Sequence, residues 1–162
     1  TFEGTSNTSL QGLVQSMDGW YTTLPTTGER VVSSPTLVGG IVYFSSFIPS
    51  TDICSGSGTG NLYALFYKTG SAYKESVIGT SQAGGTTNVT RSIALGTAGM
   101  ASQMAVHIGA QGTGVNGSTS NAGCTGHVTG FVQSSTGTLS QFCTKPALNP
   151  WSHYVSWLNQ RE

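Results

Sequence analysis

Charge is what this chain has least of. Six basic and six acidic side chains in 162 residues make 7% of the total, where an average soluble domain carries about 25%. The two signs cancel. That balance excludes a basic footprint for nucleic acid and a polybasic patch for anionic lipid. Aspartate occurs only at Asp18 and Asp52, so there is no run of alternating carboxylates for a calcium loop. No apolar stretch reaches the roughly 20 residues of a transmembrane helix. No basic segment leads into an apolar one at the start, and no Met opens the chain. The sequence therefore reads as a mature or processed polypeptide without a signal peptide. There is no Cys-x-x-Cys and no haem-attachment motif. A Gly-x-Ser-x-Gly elbow before a helix is missing, as is a Gly-rich turn that opens a helix for phosphate. The expectation is a protein that is not an enzyme and holds no cofactor or metal.

Gly, Ser and Thr are plentiful and make up about 40% of the chain, well above ordinary usage. Solubility must then come from hydroxyls and backbone. Such a composition suits secreted β proteins and subunits that bury surface against neighbours, and a net charge near zero favours association.

Turn residues recur every eight to twelve positions among β-branched residues, which predicts an all-β fold. Residues 1–18 read as an N-terminal extension with one short helical turn over 10–17. Strands are expected at 19–24, 29–38, 41–48 and 61–67. Gly39-Gly40 forms a two-residue hairpin, because paired glycines accept positive φ. The run Ile41-Val42-Tyr43-Phe44 is apolar on both faces, so its strand should be central and covered on both sides. Residues 49–60 read as a loop, and 79–88 as a flexible surface loop.

Residues 33–70 thus spell strand, hairpin, strand, loop, strand, turn, in the style of one β-propeller blade. A weaker second unit follows. In it 100–108 stands where 33–38 stood, 130–133 where 41–44 stood, and 138–142 where 61–65 stood. The units cover approximately 19–78 and 89–162. Propellers have four to eight blades of about 40–50 residues each. The expected fold is an open, partial β-propeller of two to three antiparallel blades, with a small β-sandwich as the competing arrangement.

Three cysteines are present, Cys54, Cys124 and Cys143. In a blade, successive strands run antiparallel. The insertion carrying Cys124 and the end of the strand finishing at Cys143 then lie at the same end of the second unit. A Cys124–Cys143 disulfide in an oxidising compartment is the expectation. Cys54 is left free or bonded elsewhere. Cys124, His127, Cys143 and His107 could be drawn as a zinc site, but their spacing is poor. Glu29 and Arg30 read as an exposed edge pair, and Asp52 as an Asx-type loop stabiliser. The C-terminal aromatics Trp151, Tyr154 and Trp157 serve either to dock the terminus on the core or as a partner interface.

Several segments together resemble one family. They are Gly19-Trp20-Tyr21, Leu24-Pro25, Gly28-Glu29-Arg30-Val31, and Phe47-Ile48-Pro49-Ser50-Thr51-Asp52 followed by Cys54. The strand at 61–70, the segments 93–109 and 131–141, and the closing residues 155–162 continue the likeness. The chain resembles the C-terminal propeller of PilY-type type IV pilus proteins, which are tip-associated adhesin and biogenesis factors. The resemblance runs from about residue 19 to residue 162. It implies an extracellular, pilus-associated protein that acts through protein–protein contacts. Its partners would be the missing propeller half or a longer PilY-like chain, and pilins or minor pilins. The family's calcium loop has no counterpart here. Two other classes stay open: a structural subunit of a filament or coat that self-associates through blade edges, and a fragment of a quinoprotein-like enzyme.

Overall fold

The structure is a computed structural model that describes residues 7–52, 57–83, 85–108 and 128–148. Within them one helix precedes ten strands. The fold is mostly β, its sheets are antiparallel, and none of them closes on itself.

Helix α1 spans Asn7–Gln15, starting earlier and running longer than the single turn expected. Its opening Asn-Thr-Ser suits a helix start. Leu10, Leu13, Val14 and Met17 recur at helical spacing, which gives it one apolar face. It ends in a tightened turn, where Ser16 N–H and Met17 N–H reach the carbonyls three residues back.

The first sheet holds β1 (Arg30–Val31), β2 (Thr36–Val38), β3 (Ile41–Pro49), β4 (Gly58–Phe66) and β7 (Ser92–Ala94). β1 and β2 lie in succession along one edge of β3; β4 lies on the other edge, and β7 beyond it. The strand expected at 29–38 is thus interrupted. Val31 faces Ser46 and Thr36 faces Tyr43, so residues 32–35 oppose only Phe44 and Ser45. Pro35 has no N–H for the ladder, and the Ser33 and Ser45 hydroxyls bond to each other at 2.7 Å instead. At the Gly39-Gly40 turn both glycines have positive φ, 54° and 78°, as a hairpin of this length requires. β3 and β4 pair without a break from Ile41↔Phe66 to Pro49↔Gly58, which shortens the loop expected at 49–60.

The second sheet holds β8 (Ala105–Ile108), β9 (Val128–Gln133) and β10 (Leu139–Cys143), with β9 in the middle. A third, two-stranded sheet pairs β5 (Thr80–Ala83) with β6 (Thr86–Val89). This hairpin corrects the expectation of a loop at 79–88. Apart from the half-buried Val89, its described side chains are polar and exposed, so no apolar alternation betrays the strands. A second correction concerns 19–24, which form no strand and cross the first sheet as irregular chain.

The larger core lies between the two main sheets. Ile41, Tyr43, Leu62, Ala64 and Phe66 meet Ala101, Met104 and Val132, with Val106 and Phe142 at the margin. Hydroxyls sew the junction. Thr36 Oγ1 donates to Met104 O at 2.9 Å, Ser45 Oγ donates to Ser102 O at 2.8 Å, and the buried Tyr43 and Thr144 hydroxyls bond to each other. Burial pushes the Tyr43 phenol up to about 12, partly offset by Thr144. The opposite face of the first sheet is also apolar. There Phe44, Tyr63 and Leu65 form a second buried cluster on which Leu24 packs.

Candidate interaction site

The irregular segment 19–29 lies over that second cluster like a strap, and each of its anchors is a specific side chain. Trp20 Nε1 donates to Tyr67 O at 2.8 Å. Its ring lies against Gly70, whose φ is +64°; a Cβ there would fall 2.2 Å from Trp20 Cε3. Only glycine fits this close approach. Arg91 Nη1 donates to Thr22 Oγ1 at 3.2 Å. Leu24 rests on the stacked pair Phe44–Tyr63, whose ring centroids are 4.9 Å apart and nearly parallel.

Glu29 is the last anchor. Its Oε1 accepts from Ser46 Oγ at 2.5 Å, Tyr63 OH at 2.8 Å and Asn61 Nδ2 at 3.0 Å, while Oε2 accepts from Thr26 N–H at 3.2 Å. Burial raises its pKa, but these four donors outweigh burial and hold it below the ordinary value. The same carboxylate acts on its neighbour. Burial first, then Glu29, pushes the Tyr63 phenol up to about 12. Glu29 is therefore no exposed edge residue, which corrects that expectation; Arg30 takes no part in the cluster. Ser46, Asn61 and Tyr63 share a sheet face only because of the β3–β4 register, in which Ser46 faces Asn61 and Phe44 faces Tyr63.

Beside the strap lies an open groove of about 1050 Å³ between α1, the strap, the turn at 69–74 and residues 88–91. Leu13, Met17 and Tyr21 stand exposed along it, Tyr21 at 91%.

The second sheet has a different surface. Register places Ala105, Phe131 and Gln141 on its outward face, with His107, Thr129 and Cys143 in the row to one side of them and Gln133 and Leu139 in the row to the other, all on that same face. Leu139 is 63% exposed. Cys143 is disulfide-bonded and so offers no thiolate to a metal. Cys54, Cys124 and His127 lie outside the described residues, as do Trp151, Tyr154 and Trp157. Among the described residues no three His, Cys, Asp or Glu side chains come together as metal ligands. The Asp52 backbone N–H donates to Ser50 Oγ at 3.1 Å.

The paired register also shows that two of the matches between the units differ by one residue. Aligned on the strands that follow Gly60 and Gly137, Leu62 corresponds to Leu139 and Tyr63 to Ser140. Phe44 faces Tyr63, and Val132 faces Ser140. Val132 therefore stands for Phe44, one residue on from the match of 130–133 with 41–44. A shift of one residue exchanges the faces of a strand. With it, the face of the second sheet that packs into the core corresponds to the strap-covered face of the first.

Comparison of the chain with protein-family models, with curated proteins and with solved structures finds no match in any of the three.

Proposed function

We propose that this protein is the C-terminal, PilY-like propeller piece of an extracellular type IV pilus-associated assembly, acting in pilus assembly or surface adhesion through protein–protein contacts. One observation carries the reading: the first sheet is apolar and buried on both faces, with Tyr43 and Leu62 on one and Phe44, Tyr63 and Leu65 on the other. A two-layer sandwich leaves its outer faces polar. A propeller blade is covered on both sides by its neighbours. The order β1/β2, β3, β4 and β7 in this five-stranded antiparallel sheet supports the reading, since a blade is a four-stranded antiparallel sheet; the β5–β6 hairpin would then be an insertion before the last strand.

The disulfide at Cys143 favours an oxidising compartment, which agrees with an extracellular site. Its expected partner, Cys124, belongs to the same reading. The contacts would be made to a polypeptide bearing the remaining blades and to pilins or minor pilins, without nucleic acid and without membrane insertion. The low charge suits surfaces that stack rather than surfaces that steer.

The test is location and company. A tagged chain expressed in its own cell should shear from the surface with the pili and co-purify with a polypeptide carrying the earlier blades. It should leave the sheared fraction when the major pilin is deleted. Recovery solely from the cytosol, with Cys143 reduced, would overturn the reading.

A further inference from the structure

The junction between the two sheets uses unlike faces. The first sheet contributes the face with Tyr43, Leu62 and Ala64; the second contributes the face with Val132 and Phe142. With 138–142 matched to 61–65, the second sheet's face corresponds by register to Phe44, Tyr63 and Leu65 of the first sheet, the cluster under the strap. Its outward face, with Phe131, Leu139 and Gln141, corresponds to the first sheet's core face. Leu62 is 0% exposed there, whereas its counterpart Leu139 is 63% exposed. One molecule thus carries both halves of its own internal junction a second time. One half lies under the strap and the other faces outward.

We propose that residues 19–29 are a displaceable cover on a sheet-stacking face, and that the occupant taking their place is the second sheet of another copy of this chain. The joint repeats the internal junction. Phe131 and Leu139 of one copy stack on Phe44, Tyr63 and Leu65 of the next. Because the joined surfaces differ, the contact is head to tail and propagates into a ring or filament. The strap is suited to leaving. It pairs with no strand, and its described anchors are Leu24 and the polar contacts of Trp20, Thr22 and Glu29. A net charge of zero sets up little repulsion between copies. The inference rests on the sheet-stacking part of the proposed function and not on the pilus. A chain absent from sheared pili leaves it standing, and a failure to stack leaves the surface location standing.

Sedimentation velocity over a concentration series tests it on the full 162-residue chain. The wild type is expected to run as a monomer. Glu29→Ala removes the anchor that ties the strap to β3 and β4, and should convert the chain into concentration-dependent dimers and larger species. Adding Leu139→Glu should restore the monomer. Limited proteolysis within 21–27 reports whether the strap is loose, and circular dichroism reports whether the sheets persist. Should Glu29→Ala not fold, a protease site inserted in the exposed turn at 26–28 and cut after folding frees the strap without touching Glu29. A loosened strap with the chain still monomeric would overturn the proposal. So would oligomers that survive Leu139→Glu, a wild type that already associates, or a strap that stays closed in both forms.

Discussion

Leu62 and Leu139 occupy matching positions in the two sheets, and they live in opposite environments. Leu62 is sealed between sheets; Leu139 faces outward. Around Leu62 the first sheet is long-stranded and buried on both faces, with apolar residues at consecutive positions of β3 and β4. Around Leu139 the alternation is that of a half-covered sheet: β10 reads exposed, half-buried, exposed along its length. Periodicity follows coverage. A strand covered on both sides loses its period-two signal, and a strand covered on one side keeps it. The difference between the sheets is therefore less a difference of fold than of what lies against them.

The sharpest way to break that comparison is to truncate both leucines. Leu62→Ala should cost about 2–5 kcal/mol, the usual range for emptying a packed core. Leu139→Ala should stay within about 0.5 kcal/mol, as exposed substitutions do. Urea unfolding of the two variants decides it. Equal losses would mean that the second sheet's outward face is covered in solution and that the two sheets are alike after all.

Much of the first sheet was legible because its chemistry is local. Gly39-Gly40 announces a hairpin by backbone freedom alone, and the run 41–44 announces a central strand by having no polar side. The β5–β6 hairpin was not legible, because Thr, Ser, Gln and Asn on both faces carry no hydrophobic period. The strap was misread for the opposite reason. Trp20, Tyr21, Thr22 and Thr23 have strand propensity, yet what holds them is a set of side-chain anchors distant in sequence. The Glu29 cluster needed the register. Nothing in the spacing of 29, 46, 61 and 63 brings them together until β3 is laid against β4 residue by residue. The one-residue offset between the units was hidden likewise, since a strand and its neighbour in sequence spell nearly the same motif.

Acid probes the strap side of the comparison. The folded-state pKa of Glu29 lies below its ordinary value of 4.5. Its contribution is therefore fully present above that value and is lost as pH falls through the depressed folded pKa. Stability should decline on acidification below about pH 4.5. Glu29→Gln should flatten that decline and lower the neutral-pH stability by about 1–2 kcal/mol, as expected when a charged acceptor of several hydrogen bonds is replaced. Denaturant midpoints measured from pH 7 to pH 3 follow both effects. An unchanged acid limb in the Gln variant would remove Glu29 as the anchor.

Gly70 sharpens the same side at the other end of the strap. Alanine there must adopt a left-handed backbone and push Trp20 away, which should cost about 1–3 kcal/mol. The indole would then lose its bond to the Tyr67 carbonyl. In a chain whose other two tryptophans are Phe, Trp20 emission should shift to longer wavelength in Gly70→Ala. A shift without loss of stability would show that the strap's first anchor is separable from the fold.

The smallest effect belongs to the charges at the junction. Lys145 Nζ lies 3.0 Å from Glu75 Oε2, with both side chains largely exposed, and Lys145 holds the Glu75 carboxyl below its ordinary pKa through a hydrogen bond and its charge. Exposed pairs of this kind are screened and entropically taxed. Beside it the Lys145 N–H bonds to Val77 O at 3.2 Å, a contact that a side-chain change leaves in place. Lys145→Ala should therefore leave the unfolding midpoint unchanged, and the wild-type midpoint should not respond to moderate salt. A salt-sensitive midpoint would mean that charge holds the two sheets together. In a chain this poor in charge, the hydroxyl bonds of Thr36, Tyr43 and Ser45 and the apolar core are positioned to do that instead.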